Sequence, residues 1–318
     1  MTASTSTSIL APYGGARPPA PAWFEQAMAQ APERRAFDHN GAAIELLTWG
    51  DAGQPGLLFL HGDSAHADWW SFIAPFFASQ WRCAAISWSG MGRSGRRAGG
   101  YGFQQWAREA MAAIDAADLD NGAGVMLVAH SLGGYPALLA AAQDTRIRGV
   151  ISLDSVIMPE AMLHQVPRPL PRPHKVYATL AEALARFRFM PRTIASEHYA
   201  VDHIARTGLV AVPGGGWTWA FDPAIWHDIE ARNSQLPSLP KGARCPLALI
   251  VGEASELIGE EIAAYMRGLY PPGTPFIGIP GAGHHIMVDQ PIALIAALRA
   301  CLAKWPRLSG AMDSGDEI

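Results

Sequence analysis

The sequence predicts an α/β protein, with a mostly parallel sheet flanked by helices on both faces and one mainly helical insertion. Three observations predict it. Short continuous apolar runs bounded by glycine or polar turns recur along the chain, as strands buried on both faces require. Helical patterns separate these runs, and alternation of strand and helix builds a parallel sheet. The alternation breaks once, from Pro159 to Pro240, over a stretch too long to be a single loop in a compact domain.

The strands are read in order. Residues 43–49 (AIELLTW) alternate and look half-buried. Residues 57–60 (LLFL) run into His-Gly, and 83–86 (CAAI) run into SWSGMGRSG. Residues 125–128 (VMLV) lead to AHSLGG, 150–153 (VISL) to Asp-Ser, 247–251 (LALIV) to Gly-Glu, and 275–279 (PFIGI) to PGAGHH. Helices are expected over 103–117, 132–143, 260–269 and 291–305. The first places Trp106, Ala110, Met111, Ile114 and Ala117 on one face. The insertion holds a proline-rich entry (VPRPLPRPH), a helical stretch (LAEALARFRFM) and GGGWTWAFDPAIW. The domain reading is an N-terminal arm over 1–35, a core over 36–158 and 241–306, the insertion over 159–240 and a tail over 307–318. Ser, Thr, Pro and Ala dominate the first 22 residues, which reads as a poorly ordered arm.

Composition narrows the function. Hydrophobic residues make up 49% of the 318 residues and charged residues 16%, an ordinary globular interior. Lys plus Arg is 24 against 28 Asp plus Glu, so no strong positive field collects phosphates and no nucleic-acid partner is expected. Cys83, Cys245 and Cys301 lie far apart with no CxxC, which reads as buried thiols rather than a disulfide framework or zinc site. No secretory signal and no apolar run long enough to span a bilayer is found, so the expectation is a cytoplasmic protein without a membrane partner. GMGRSG is out of register for a dinucleotide fingerprint, and His198 and His203 are poorly spaced for a metal, so no cofactor and no metal are expected.

Two segments carry chemistry. Ala129-His130-Ser131-Leu132-Gly133 follows a buried strand and opens an apolar helix. A serine on such a turn presents its hydroxyl at the carboxyl edge of the sheet, and the small residues two before and two after relieve the crowding. Gly281-Ala282-Gly283-His284-His285 follows the last strand and reaches the same edge. A neutral imidazole there can take the hydroxyl proton and return it to a leaving group. His284 is the expected base, with His285 turned toward a lid or helix.

These segments, with LLFLHG (57–62), SWSGMGRSG (87–95), VAHSLGG (128–134), LIVGE (249–253) and IPGAGHHIMVDQP (279–291), make the chain resemble the α/β-hydrolases over about Phe37 to Trp305. The insertion resembles that family's cap domain. The resemblance implies the α/β-hydrolase fold and a serine–histidine–acid relay. Three departures stand out. Ala129 occupies a usual glycine. Ser87 and Ser89 stand in the turn that commonly reads D-x-R-G-x-G-x-S, which suggests a replaced structural ion pair. Ser255 occupies the position where the family's acid commonly follows the 247–251 strand as G-x-x-D. Asp154 and Glu256 remain as candidate acids, and Asp154 is preferred because a strand's carboxyl end fixes its backbone at the edge that Ser131 shares. The oxyanion hole is assigned to the amides of Leu132 and Asp63. The Asp63 side chain has three open readings: turned away from the oxyanion, protonated or paired with His66 or Arg93, or positioning a water or substrate amine.

The insertion's aromatics include Phe187, Phe189, Trp217, Trp219, Phe221 and Trp226, and Trp69 and Trp70 follow the His-Gly loop. Trp69, Trp217, Trp219 and Phe221 are expected to line the substrate cleft, and Gly214-Gly215-Gly216 to form a mobile lid segment. Arg186 and Arg188 read as solvated helix charges. The expected reaction is two-step hydrolysis of a carboxylic ester or lactone with a bulky apolar group. Carbon–carbon bond hydrolysis, a cofactor-free lyase or a non-catalytic binding protein are the alternatives. The partner is a small-molecule substrate; the oligomeric state is open, a homodimer being one option.

Overall fold

A computed structural model describes residues 8–163, 173–192, 197–226 and 236–309. Eight strands form one sheet: β1 (Glu33–His39), β2 (Ala42–Trp49), β3 (Gly56–Leu60), β4 (Arg82–Ile86), β5 (Val125–His130), β6 (Ile147–Leu153), β9 (Leu247–Gly252) and β10 (Phe276–Ile279). The insertion contributes β7 (Leu209–Ala211) and β8 (Trp217–Trp219). The order across the sheet is β1-β2-β4-β3-β5-β6-β9-β10, antiparallel at β1–β2 and β2–β4 and parallel elsewhere.

The seven apolar runs all become strands. β3 and β5 are buried along their whole length, as expected for central strands covered on both faces. Within this sheet patterning misses β1, as it misses β7 and β8 in the insertion: ERRAFDH is polar, largely exposed and paired only with β2 at the sheet edge. An edge strand needs no apolar alternation, so it leaves no periodic signal.

Helix Phe103–Ala116 buries Trp106, Ala110 and Ile114 against the sheet. Helix Gly134–Gln143 is buried along most of its length. Helices Glu260–Leu269 and Pro291–Ser309 complete the layers, and Trp305 reaches back to donate to the Arg148 carbonyl at 2.7 Å.

Residues 8–30 are more ordered than their composition suggests. Ala22–Ala29 is helical, Leu10 and Phe24 are buried, and Phe24 packs on Phe72 and Tyr199 with centroids 5.5 and 4.7 Å apart. A few large apolar anchors outweigh a Ser/Thr/Pro background.

Within the insertion, helices Leu180–Leu184 and His198–Thr207 stand beside the β7–β8 hairpin. Gly214, Gly215 and Gly216 have φ of 89°, 102° and 97° and form the turn of that hairpin, closed by a Val212 N–H to Gly216 carbonyl bond of 3.1 Å. The triple glycine therefore meets a backbone requirement for left-handed φ.

The serine turn departs from the family pattern in a way the packing explains. Ser87 donates to the buried Glu45 carboxylate at 2.6 Å, and Ser89 donates to the buried Glu109 at 2.6 Å. Glu45 is paired with Arg34, and Glu109 with Arg97 at 3.0 Å. The charges lost from the turn reappear on neighbouring elements, and the serines relay to them.

Candidate active site

The carboxyl edge of the sheet gathers loops from five strands. β5 ends in Ser131, whose φ of 52° is unusual for a residue with a side chain and marks the tight strand-to-helix corner. Gly133 is needed there, because a Cβ would lie 2.4 Å from the His61 carbonyl oxygen. β6 ends in Asp154, also left-handed at φ 47° and fully buried. The loop after β10 carries His284, which is buried.

These three side chains meet. His284 Nε2 lies 2.9 Å from Ser131 Oγ, and His284 Nδ1 lies 2.7 Å from Asp154 Oδ2. Asp154 also accepts the Gly252 N–H at 3.0 Å and the Ser255 hydroxyl at 2.6 Å. Ser255 thus occupies the usual acid position and donates to the acid that replaces it. Glu256 is exposed, so it is Asp154 that the fold brings to His284. With the carboxylate accepting Nδ1–H, the lone pair of Nε2 faces the serine hydroxyl, the arrangement a general base requires.

The loop after β3 closes over Ser131. A Cβ on Gly62 would lie 2.9 Å from Ser131 Cβ and 3.0 Å from His130 Nδ1. His61 clamps this loop. Its Nε2 accepts the Trp88 N–H at 3.0 Å, so the proton sits on Nδ1, which donates to the Gly62 carbonyl at 2.7 Å. Burial lowers the His61 pKa to about 3, keeping the ring neutral in that tautomer. The next residue in this loop is Asp63, and Leu132 lies in the short helical turn Ser131–Gly133.

Beside this centre lies a cavity of about 500 Å³ between the core and the insertion. Ser131 and His284 are not among the residues that line it. It begins at their neighbours Asp63, Trp69 and His285, and continues along Phe187, Phe189 and Trp219. Trp69 stacks on His130 at 6.0 Å and meets Phe189 and His285 edge-on at 5.5 Å each.

Of the expected cleft aromatics, Trp69, Trp219 and Phe221 line the cavity and Trp217 does not. Trp217 instead pairs its backbone with Tyr177 and, partly buried, packs against the hydrophobic cluster that the insertion shares with the core. The Trp226 side chain lies outside the described residues. His285 points toward the insertion, with Nε2 3.2 Å from the Pro191 carbonyl. Arg186 and Arg188 line the cavity; isolated charges in a helical run carried no signal of this. His198 and His203 lie away from the site, at Tyr13 and at the Asp68 carbonyl.

Asp63 also lines the cavity. Arg93 points to Glu45 at 3.9 Å, and His66 to the Ile204 carbonyl at 3.1 Å, so the pairings expected for Asp63 are not formed. Burial raises its pKa to about 7, against the bonds from Ser64.

Residues 57–298 match the Alpha/beta hydrolase family. The chain belongs to the α/β-hydrolase family. Among curated proteins it is similar to Esterase Rv0045c of Mycobacterium tuberculosis (strain ATCC 25618 / H37Rv), 26% identical over 297 residues, covering 87% of this chain and 92% of that protein. Among solved structures it resembles E-2-(acetamidomethylene)succinate hydrolase, with a TM-score of 0.73 at 20% identity over 86% of this chain and 99% of that one. It also resembles a thioesterase domain from the curacin biosynthetic pathway, with a TM-score of 0.70 at 22% identity over 85% and 99%. Among the described residues, no helix of this α/β-hydrolase is long and apolar enough to cross a membrane.

Proposed function

We propose that this chain is a serine hydrolase acting on a carboxylic ester or lactone with a bulky apolar group. The observation that carries the reading is the continuous relay from Ser131 Oγ through the His284 ring to Asp154. Ser131 Oγ attacks the carbonyl carbon while its proton passes to His284 Nε2. Asp154 holds the ring's orientation and stabilises the imidazolium. The amides of Leu132 and Asp63 receive the oxyanion. The tetrahedral adduct expels the alcohol, which takes the proton from His284, and water activated by the same ring then releases the acid. The aromatic walls formed by Trp69, Phe187, Phe189 and Trp219 suit an apolar acyl or alcohol part. The similarity to a mycobacterial esterase supports the same chemistry, and the likeness to a thioesterase domain adds thioesters to the substrates to be tried.

The test is a panel of p-nitrophenyl esters, aryl-substituted lactones and thioesters assayed with the parent chain, Ser131→Ala and His284→Ala. Turnover of at least one class, lost in both variants, is expected. Turnover that survives Ser131→Ala would overturn the reading.

A further inference from the structure

We infer that His130, His284 and His285 together form an inhibitory site for a divalent transition-metal ion of the zinc, copper and nickel class. The inhibition, though not the binding, rests on the hydrolase reading above. One ring nitrogen from each of the three lies within 4.8 Å of the others, and all three residues are buried. The hydrogen bonds decide which nitrogen of each ring is free. His130 Nε2 lies 3.0 Å from the His284 carbonyl, and His285 Nε2 lies 3.2 Å from the Pro191 carbonyl. A carbonyl only accepts, so both rings carry a proton on Nε2. Neither Nδ1 has a hydrogen-bond partner among the described residues. A second proton there would leave a buried charge without an acceptor, so each Nδ1 presents a lone pair. His284 donates Nδ1–H to Asp154, which leaves the Nε2 lone pair that faces Ser131.

Each imidazole thus has its N–H held by a carbonyl or carboxylate and its other nitrogen unprotonated. That arrangement orients histidine ligands and raises their basicity. Imidazole nitrogen selects zinc, copper and nickel over magnesium and calcium, which take oxygen. An ion holds each nitrogen at about 2.0–2.1 Å, so a pair spans at most about 4.2 Å and the 4.8 Å set closes by about 0.6 Å, a small ring rotation. The aromatic cavity reaches His285 and gives the ion a path from solvent. Arg186 and Arg188 on its wall are exposed, so water and salt screen their charge. Occupation and catalysis exclude each other, because the ion takes the same His284 lone pair that must accept the Ser131 proton. Chain spacing carries no sign of the set, as His130 and His284 are 154 positions apart.

The experiment treats the full chain with a chelator, removes the chelator, and adds zinc, copper or nickel chloride, with magnesium and calcium chloride as controls. Calorimetric titration of Ser131→Ala measures binding without turnover; one zinc per chain is expected, with no heat from magnesium or calcium. In the parent, ester hydrolysis and aryl fluorophosphonate labelling of Ser131 should both slow at least about tenfold at saturating zinc and recover with EDTA. Electron paramagnetic resonance of the copper form should show coupling to three ring nitrogens, and to two in His130→Gln or His285→Gln. Each of these variants, compared with its own metal-free rate, should need at least about tenfold more zinc for the same inhibition. Thermal melts without metal identify a variant that fails to fold; the other variant and the copper spectrum of the parent then decide. No zinc bound, or equal affinity in the parent and a folded variant, would overturn the site. Zinc bound at the three rings with labelling unchanged would overturn the inhibition. Zinc bound as expected in a chain that turns over no ester would uphold the site and remove the hydrolase reading alone.

Discussion

Replacing Asp154 by asparagine isolates what the acid contributes. The carboxylate takes three donors: His284 Nδ1 and the Ser255 hydroxyl at one oxygen, and the Gly252 amide at the other. An asparagine can satisfy only part of this set. With its NH2 toward Gly252, two donors face each other in a fully buried site. With its NH2 toward His284, the ring must flip to the Nε2–H tautomer, which cannot accept the serine proton. The first arrangement costs about 1–3 kcal/mol of stability for the unsatisfied pair. The second removes the base, and the loss expected in kcat is about 10⁴-fold, equivalent to about 5.5 kcal/mol in the barrier. Glu256→Gln, at an exposed position, should change kcat by less than about twofold. The assay is steady-state hydrolysis of the best ester alongside thermal melts of all three proteins. Asp154→Asn within threefold of the parent, or Glu256→Gln losing most activity, would refute the assignment.

Two further outcomes follow from the same geometry. Gly62→Ala places a methyl 2.9 Å from Ser131 Cβ and 3.0 Å from His130 Nδ1, so the loop or the serine must move; displacement on the order of 1 Å predicts roughly 10²-fold lower kcat/KM, read against a small change in melting temperature. Acid should unfold the protein steeply. Burial holds His61 and His285 at about 3 and His203 at about 4, below the unfolded value near 6.5. The unfolded state therefore binds more protons in that window, and stability present above pH 6.5 is lost as pH falls toward 4. Asp63, raised to about 7, acts in the opposite sense between about 4 and 7 and offsets one of the three. Denaturant titrations should show stability falling by about 2.5 kcal/mol per pH unit near pH 5; a flat profile from pH 7 to 4.5 would contradict the buried neutral histidines.

Most of the sheet was legible because central parallel strands must be apolar on both faces, which leaves dense runs such as LLFL and VMLV. β1 was not, because an edge strand with Arg34, Arg35 and Asp38 looks like a loop. Ser131 and His284 were legible because a strand-to-helix corner and a glycine-flanked histidine leave local signatures. Asp154 was distinguishable from Glu256 only by argument, since the partner that completes it, Ser255, lies 101 residues away in sequence. The replacement of the family's turn charges by Ser87 and Ser89 was visible, but its compensation was not: Glu45 and Glu109 sit on other elements, and only packing brings them to the serines. The hairpin turn made by the triple glycine was not legible for a related reason, as glycine marks both mobile segments and tight hairpin turns.

The central claim is that Ser131 is an activated nucleophile. Intact-mass measurement after exposure to an aryl fluorophosphonate tests it most directly. One adduct is expected, mapped to the peptide bearing Ser131, absent in Ser131→Ala and formed at least about a hundredfold more slowly in His284→Ala. A chain that turns over ester while Ser131 stays unmodified, or that is labelled equally in Ser131→Ala, would contradict it.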